Sequence, residues 1–376
     1  MKIALISVTP PYRGGISLNS AILYQYLKPS HDVTVYNFTR QYPDFLFPGK
    51  TQYETGTSAV RIPMIRMVDS INPLTWVKTA KAIIRQSPDL LLIRFWNPFF
   101  APLSGFIAGY ILKRVPQIHI MAICDNILPH ESHWFDTLLV RYFFKKVRSF
   151  IVMSSSVESD LKTMVSVPKY RKIFHPVYHV FGDPVPMAEA RKTLNIAARK
   201  VILYFGYVRA YKGLDTLIEA TGILKTKMTD FQVIAVGESY ESVEKYQKLI
   251  QKFEIGDVFR WENQYIPDDQ VKLYFSAADV VALPYHSATQ SGIIPIAYHF
   301  NKPVVATRVG GLPEVVIEGK TGFITTPGDS LELARVLSVG FMEGSFASMA
   351  PNIQEEKKRF SWKNMVTAVE SLCAEK

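Results

Sequence analysis

Cysteine is scarce in this sequence: only Cys124 and Cys373 occur among 376 residues. The two lie far apart along the chain and do not have the spacing of zinc ligands. This excludes a disulfide-stabilised small domain and a cysteine-rich metal site. Such sparing use of cysteine is typical of a reducing compartment, so we expect a cytoplasmic protein.

Long hydrophobic runs are also lacking. The most apolar stretch, residues 95–112, is interrupted by an asparagine, two prolines and two glycines. A membrane-spanning helix needs about 20 consecutive apolar residues. The first residues lead directly into a short strand that ends at Pro10, which is not the pattern of a signal peptide. We therefore expect neither a membrane span nor a leader.

Hydrophobic residues nevertheless make up 48% of the chain and charged residues 20%, as in a globular protein with a large core. Strands alternate with helices along the chain, which predicts an α/β fold of doubly wound parallel sheets. The length fits two domains, and a proline-rich stretch at residues 174–186 separates two such runs. We predict one domain at residues 1–182 and another at 183–359, with the terminal helix, 360–376, packing back on the first.

Positive charge is concentrated in the first of these domains. Residues 1–182 contain 21 Lys+Arg and 10 Asp+Glu, an excess of +11, whereas the remainder contains 22 and 23. Such asymmetry indicates an anionic partner, either nucleic acid or a membrane surface. No sequence pattern of a nucleic-acid-binding module accompanies it, so we expect no nucleic acid and favour an anionic membrane.

Two predicted amphipathic helices carry much of this charge beside large apolar residues. We expect some of those apolar residues to enter the membrane interface and others to pack against the sheet. The cations are Lys78, Lys81 and Arg85 near Trp76, and Arg141, Lys145 and Lys146 near Phe143 and Phe144.

The stretch from Leu283 to Val315 has the most informative local pattern. A strand ends near Pro284, a polar loop reaches Gln290, and the small residues Ser291 and Gly292 precede an apolar segment that begins at Ile293. Free backbone N–H groups at such a helix start attract phosphate. The alternative is an ordinary strand–loop–helix–strand unit of a parallel sheet.

Two further glycine-containing loops follow strands. Gly14 and Gly15 lie between the first strand and the first helix, but the dinucleotide pattern G-x-G-x-x-G is absent, so no nicotinamide site is predicted. These glycines either reverse the chain or let the backbone approach a phosphate or sugar. In the second domain, Arg209 and Lys212 precede a helix start, where two cations can hold a diphosphate; the alternative is a pair of solvated loop residues.

Ionisable residues also follow the predicted strand at residues 118–123. Asp125 and Glu131 flank His130 on a loop at the carboxyl end of this strand, where α/β sheets keep their sites. His130 is therefore a candidate site residue, the alternative being a structural or surface histidine.

The succession of these segments resembles the glycosyltransferase group 1 family, which comprises retaining, metal-independent GT-B enzymes that use nucleotide-sugars. The resemblance covers nearly the whole chain and is densest from Gly206 to Asp329. The matching segments are PYRGGIS, FGYVRAYKGLDTLIEA, VGES, YFSAADVVALPY, GIIPIAYHFNKPVVATRVGGLPEVV and GKTGFITTPGD.

The family implies two Rossmann-like domains that face a central cleft, with no cofactor and no metal. By resemblance, Gly14 and Gly15 face the donor phosphates, and Arg209 and Lys212 bind the diphosphate. The remaining donor-binding candidates are Gly237, Gln290, Ser291, Gly292, Ile293 and Tyr298.

Four positions depart from the family pattern. Gln290 and Tyr298 stand where family members carry two glutamates, of which the first contacts the transferred sugar and the second the ribose. Cys124 stands at the place of a family histidine, a role that His130 would take over. Tyr207 stands at the place of an arginine.

The resemblance thus implies transfer of a sugar from a nucleoside-diphosphate sugar to a sugar hydroxyl, with retention of configuration. We expect His130, Asp125, Arg209 and Lys212 to carry the catalysis. The basic first domain favours a glycan or lipid-linked acceptor at the inner face of the cell membrane, as in polysaccharide biosynthesis. The alternatives are a soluble transferase with a small acceptor and an inactive nucleotide- or carbohydrate-binding homologue. A sugar-nucleotide 2-epimerase has a related architecture, but its acidic and histidine residues are not evident.

Overall fold

The computed structural model describes residues 1–43, 51–54, 60–128 and 133–375. The chain forms two compact units, one of Met1–Phe174 with Ser361–Lys376 and the other of His175–Phe360. The sequence placed the division after Gly182, whereas in the structure it follows Phe174. The C-terminal segment is part of the first unit.

The first unit is built on a seven-stranded sheet with the order β3-β2-β1-β4-β5-β6-β7. All neighbouring strands run parallel. The strands are β1 (Lys2–Ile6), β2 (Asp32–Arg40), β3 (Ile65–Asp69), β4 (Leu90–Phe95), β5 (His119–Cys124), β6 (Ser149–Val152) and β7 (Tyr170–Lys172).

Helices cover both faces of this sheet. The chain winds toward one edge through α1 and toward the other through α2 to α5, so right-handed crossovers place α1 on one face and α2–α5 on the other. The packing agrees, since α1 contacts α15 while α2, α3, α4 and α5 contact one another in succession. The helices are α1 (Gly15–Leu27), α2 (Pro73–Gln86), α3 (Ala101–Leu112), α4 (Trp134–Phe144), α5 (Ser155–Met164) and α15 (Trp362–Ala374).

Three contacts attach α15 to the first unit. Trp362 stacks on Tyr26 with ring centroids 5.5 Å apart. The imidazole Nε2 of His31 lies 3.0 Å from a carboxylate oxygen of Glu370. Farther along, Glu375 forms ion pairs with two basic residues at and beside β7. The last helix thus completes the face on which α1 lies.

Large apolar residues of α2 and α4 lie differently from what the sequence suggested. Phe143 and Phe144 are fully buried, and both pack against Phe95 of β4. Trp76 packs on Phe106, and its indole N–H donates to the Asp69 carbonyl at 2.7 Å. Phe143 and Phe144 are thus among the residues that pack against the sheet, and the prediction that they enter a membrane interface is wrong. Trp76 is half-buried.

The second unit contains a six-stranded parallel sheet with the order β10-β9-β8-β11-β12-β13. Its strands are short and, apart from the edge strand β10, almost entirely buried, as expected for strands covered by helices on both faces. They are β8 (Lys200–Phe205), β9 (Phe231–Val236), β10 (Phe259–Glu262), β11 (Val280–Leu283), β12 (Val304–Thr307) and β13 (Gly322–Thr325).

Nine helices accompany these strands in the second unit, all of whose residues are described. Several of them are only one or two turns long. The helices are α6 (Met187–Thr193), α7 (Leu214–Lys225), α8 (Val243–Lys252), α9 (Asp268–Ala277), α10 (Ile293–His299), α11 (Leu312–Val315), α12 (Ser330–Met342), α13 (Ser345–Ser348) and α14 (Ala350–Glu356).

The strand order of the second unit reverses between β8 and β11. The chain winds outward from β8 through β9 to β10, and outward in the other direction from β11 through β12 to β13. In open α/β sheets, ligands bind beyond the carboxyl ends of the strands at such a reversal. The loops after β8 and β11 are therefore the first place to look for a site.

Within the described parts of the chain, none of the helices has the length and apolar character needed to cross a bilayer.

Candidate functional site

The loops that follow β8 and β11 are joined at the reversal of strand order. The backbone N–H of His286, after β11, donates to the carbonyl of Tyr211, after β8, at 2.7 Å. A short 3₁₀ turn, Ala210–Lys212, ends the first loop, and Gly213 then starts α7. The two loops thus form one surface at the carboxyl edge of the sheet.

Two glycines allow the backbone segments at this edge to touch. Gly213 has φ +65°, and a Cβ there would lie 1.9 Å from the Pro284 carbonyl oxygen. Gly237, directly after β9, has φ +149°, and its Cβ would lie 2.0 Å from the Gly206 carbonyl oxygen. Neither position accepts a side chain. Gly237, predicted to bind the donor, therefore has a structural requirement of its own.

Lys212 points its amine into this surface. A Cβ built on Gly206 would lie 3.3 Å from Lys212 Nζ and 3.4 Å from Ile293 Cδ1, so the amine lies beside the end of β8 and the start of α10. The ring of Tyr285 lies 5.8 Å from the same nitrogen. The structure thus brings together Lys212 and Ile293, two of the residues singled out from the sequence.

The environment of Lys212 also changes its acidity. Burial, aided by the positive charge of Arg209, lowers the pKa of Lys212 to about 8. Desolvation favours the neutral amine, and an incoming anion would restore the charged form. A buried cation with a lowered pKa in a surface of this kind is typical of a functional site.

Arg209 lies at the same loop but is exposed and interacts with aromatic rings. Its guanidinium carbon lies 4.9 Å from the centroid of the Tyr240 ring. Tyr207 stacks on Tyr240 at 4.9 Å and lies 6.5 Å from Tyr265, also in a stacked orientation. We call Tyr207, Tyr240 and Tyr265 the tyrosine row. It extends across the carboxyl ends of β8, β9 and β10.

Sequence reasoning missed the tyrosine row because its members come from three separate loops. The only signal was Tyr207, which stands where the resembled family has an arginine. All three rings are half-buried, so each presents part of its surface to solvent.

The residues before α10 are partly engaged with one another. Ser291 Oγ accepts a hydrogen bond from the Ile293 N–H at 3.2 Å and lies 3.4 Å from the Tyr285 hydroxyl. A Cβ on Gly292 would lie 3.8 Å from the Tyr178 hydroxyl. The side chain of Gln290, the residue before Ser291, is half-buried. One of the N–H groups expected to meet a phosphate is thus already used within the turn.

Tyr298 lies in the core of the second unit. Its hydroxyl is hydrogen-bonded to the Val315 carbonyl at 2.9 Å and to Thr321 Oγ1 at 2.7 Å. Burial raises the pKa of Tyr298. The side chain anchors α10 to the segment that precedes β13, which its position in the sequence pattern did not indicate.

A further polar group, not predicted from the sequence, lies beside Gly213. His286 Nε2 is 3.1 Å from an oxygen of Asp215, and Lys245 Nζ is 3.6 Å from the other oxygen. A Cβ on Gly328 would lie 3.9 Å from His286 Nδ1. Asp215 thus holds the histidine next to the loop that carries Lys212.

In the first unit, Gly14 is the N-cap of α1 and Gly15 is its first residue. Gly14 has φ +112°, a backbone conformation that other residues rarely adopt, although a Cβ there would meet no atom within 4 Å. The glycine is thus required by the backbone at this turn and not by close packing.

Asp125 is held in a buried ion pair. Arg94, the next-to-last residue of β4, donates through Nε to Asp125 Oδ2 at 2.6 Å and through its second terminal nitrogen to Oδ1 at 2.5 Å. The guanidinium also hydrogen-bonds to Asn19 of α1. Both side chains of the pair are almost completely buried. Asp125 therefore links β4, α1 and the loop after β5.

The other predictions for this loop concern its later residues. His130 and Glu131 lie outside the described residues. Cys124, at the place of the family histidine, is completely buried, and burial raises the pKa of its thiol well above the ordinary value. Among the residues that the structure describes, no group of three His, Cys, Asp or Glu side chains is arranged to hold a metal ion.

The chain is similar to known families and proteins. The sequence profile described as Glycosyl transferases group 1 matches residues 187–338. A D-inositol 3-phosphate glycosyltransferase of Corynebacterium aurimucosum is 30% identical over 63% of this chain and 54% of its own length. An uncharacterized glycosyltransferase of Methanocaldococcus jannaschii is 24% identical over 100% of this chain and 98% of its own length. The chain spans about half the length of the D-inositol 3-phosphate glycosyltransferases it matches.

Among solved structures, HepE of Anabaena in complex with UDP and glucose superposes with a TM-score of 0.79 at 18% identity, and the match covers 100% of both chains. At this identity the likeness concerns the fold. The two doubly wound sheets confirm the predicted GT-B fold, and the profile match shows that residues 187–338 resemble the group 1 glycosyltransferases.

Proposed function

We propose that this protein transfers a glycosyl group from a nucleoside-diphosphate sugar to a hydroxyl group, with retention of the anomeric configuration. The observation that carries the proposal is the buried amine of Lys212, which lies at the reversal of strand order in the unit that matches the family profile. A diphosphate is the ligand that fits one buried cation and a second cation, Arg209, on the same loop.

The donor would lie across the carboxyl edge of the second unit. Its diphosphate would bind beside Gly206, between Lys212 and the turn at Ser291–Gly292, and its base would lie toward the tyrosine row. Aromatic rings bind nucleobases by stacking without strong sequence preference. Because structural neighbours were solved with UDP, with UDP and glucose, and with UDP-glucose, a UDP-sugar is the first donor to test.

The proposed chemistry breaks the bond between the anomeric carbon and the β-phosphate oxygen. The acceptor oxygen bonds to the anomeric carbon on the same face, and its proton passes to the departing phosphate. The positive charges of Lys212 and Arg209 stabilise the negative charge that develops on the diphosphate. Each well-placed donor of this kind is typically worth ~3–4 kcal/mol in the transition state.

The acceptor would be bound by the first unit, and His130 is the residue that we propose acts on the reacting hydroxyl. Asp125 fixes the segment directly after β5 through its ion pair with Arg94. We propose a lipid-linked glycan or glycolipid at the inner face of the cell membrane, because the excess of positive charge in residues 1–182 is +11. A small soluble acceptor is the second candidate, since the relatives matched by sequence include proteins named D-inositol 3-phosphate glycosyltransferase.

A transfer assay tests the proposal. The purified protein is first screened by thermal shift with nucleotides and nucleotide-sugars, since a ligand at ~100 times its Kd adds ~2.7 kcal/mol to the free energy of unfolding. The best donor is then incubated with a lipid extract or with inositol 3-phosphate. We expect release of the nucleoside diphosphate and a product with the donor's anomeric configuration by NMR.

The outcomes separate the alternatives. A product with the inverted configuration would contradict the mechanism proposed above. Stabilisation by nucleotide-sugars without any transfer, over a panel of lipid and soluble acceptors, would favour an inactive binding homologue. Transfer to inositol 3-phosphate and not to lipid would favour the soluble acceptor.

A further inference from the structure

The helices α2, α3 and α4 form one layer on the first unit, and the surface of this layer is strongly basic. In residues 73–86, 101–114 and 134–148 there are nine Lys or Arg and a single acidic residue, Asp136. Asp136 is buried and accepts a hydrogen bond from the His133 N–H at 2.8 Å. The outer surface of these three segments therefore carries cations and no carboxylate.

A row of apolar side chains lies on the same layer. On α4, Trp134 is 79% exposed, Leu138 55% and Tyr142 43%. Their spacing of four residues places them on one side of the helix, opposite Val140 and the buried phenylalanines. We call Trp134, Leu138 and Tyr142 the α4 row. Most of the Trp134 side chain therefore faces solvent.

The cations lie next to this row. Lys146 Nζ is 3.6 Å from the centroid of the Tyr142 ring. Arg141, directly before Tyr142, and Lys145, three residues after it, are both exposed. On α2, an exposed line begins with Leu74, which is 72% exposed, and continues with three cations: Lys78, Lys81 and Arg85.

The topology gives this surface an orientation. The helices α2 and α4 follow strands β3 and β5, so both begin at the carboxyl edge of the parallel sheet and run back toward the opposite edge. The exposed apolar residues Leu74 and Trp134 therefore lie at the carboxyl edge, where the Gly14 turn and the loop after Asp125 also lie. The cations extend away from it.

We propose that the α4 row and the cations of α2 and α4 are the surface by which this protein docks on an anionic phospholipid bilayer, with Trp134 and Leu138 in the interface. Tryptophan and tyrosine beside lysine and arginine are the side chains that favour this region of a membrane. A second copy of the same surface is a poor partner, because pairing it with itself would bring like charges together.

Docking on a bilayer does not depend on the proposed function. Only its consequence rests on that function: the bilayer would lie next to the edge of the first unit where the acceptor would bind. A lipid-linked acceptor could then reach the first unit without leaving the membrane. Docking itself needs no catalysis, and so it can be tested separately.

The experiment is co-sedimentation of the full chain with vesicles of equal parts phosphatidylglycerol and phosphatidylcholine, compared with pure phosphatidylcholine. We expect binding to the anionic vesicles, weak binding to the neutral ones, and release by salt. The triple substitution Lys78→Gln, Lys81→Gln, Arg85→Gln should lower partitioning by about 100-fold, since each charge near an anionic leaflet contributes about 1 kcal/mol. Trp134→Ala should lower it by about tenfold.

Matched controls come from exposed residues elsewhere. The triple substitution Lys227→Gln, Lys248→Gln, Lys252→Gln removes as many charges from the second unit and should leave partitioning unchanged. Val167→Ala, at a residue 91% exposed, is the control for Trp134→Ala. The Trp134 fluorescence should also shift to the blue on anionic vesicles, a change that Trp134→Phe removes while most of the binding remains.

Equal partitioning of the wild type onto both vesicle types, or none onto either, would overturn the inference. So would an unchanged partition of the α2 triple variant, or a Trp134→Ala variant that changes only the oligomeric state. Binding of UDP and turnover of a soluble acceptor, measured on the same variants, keep the two proposals apart. Vesicle binding without nucleotide binding would contradict the proposed function alone.

Discussion

Replacing Lys212 by alanine is expected to lower turnover with the best donor by ~100-fold or more. The amine lies beside the end of β8 and the start of α10, where the departing diphosphate would bind. The fold should remain intact, because burial lowers the pKa of Lys212 to about 8 and the charged side chain therefore does not stabilise the folded state. Steady-state kinetics and a thermal melt of the same preparation measure both effects.

The same amine predicts a pH dependence. In the free protein Lys212 is charged below about pH 8 and loses its charge as the pH rises through that value. The wild-type kcat/KM should therefore fall above pH 8, and this fall should be absent from Lys212→Ala. Lys225→Ala, an exposed residue at the other end of α7, is the matched control. Near-wild-type turnover of Lys212→Ala would show that the diphosphate binds elsewhere.

Replacing Asp125 by alanine is expected to destabilise the first unit by ~3–5 kcal/mol, because the Arg94 guanidinium would remain buried without its partner. Activity would fall as a consequence, through loss of the folded protein and of the loop position. Chemical denaturation followed by circular dichroism gives the stability, and kinetics at a temperature where the variant is folded give the activity.

A double substitution serves as the control for this result. Arg94→Met with Asp125→Leu removes both charges, so it should be more stable than Asp125→Ala alone. If Asp125→Ala instead melts like the wild type but loses turnover, Asp125 contacts the substrate directly. The ion pair would then be a feature of the unliganded protein.

The alternation of strands and helices was enough to predict two doubly wound parallel sheets. A long apolar strand such as Leu90–Phe95 is stable when it is buried between two layers of helices, so its place in the fold follows from its composition. What the pattern could not give was the partner of a polar residue inside such a strand. Arg94 interrupts the run LLLIRF, but its pairing with Asp125 joins residues 31 positions apart.

The candidate site likewise contains residues that the sequence could single out and residues that it could not. Lys212 and the turn at Ser291–Gly292 could be singled out as candidates because each is a local pattern of a loop and a helix start. The tyrosine row could not, because Tyr207, Tyr240 and Tyr265 become neighbours only when three strands pair. Tyr298 was singled out from the family pattern as a donor-binding residue. In the structure its side chain lies in the core, and its hydroxyl is hydrogen-bonded to Thr321.

The sequence showed that the first unit carries an excess of positive charge, but not how the side chains are arranged on its surface. The sequence located the cations of α2 and α4 correctly and named Phe143 and Phe144 as apolar partners. Both rings are buried against the sheet, and the exposed apolar residues of α4 are Trp134, Leu138 and Tyr142. Helical spacing gives the faces of a helix, but only packing decides which apolar face points inward.

The measurement that tests the central claim most directly is calorimetric titration of UDP, UMP and uridine into wild-type protein and Lys212→Ala. If Lys212 binds the diphosphate, the wild type should bind UDP at least about tenfold more tightly than UMP. In Lys212→Ala this difference should largely disappear, while the affinity for uridine stays the same. An unchanged difference between UDP and UMP in the variant, or no binding of UDP to the wild type, would contradict the account.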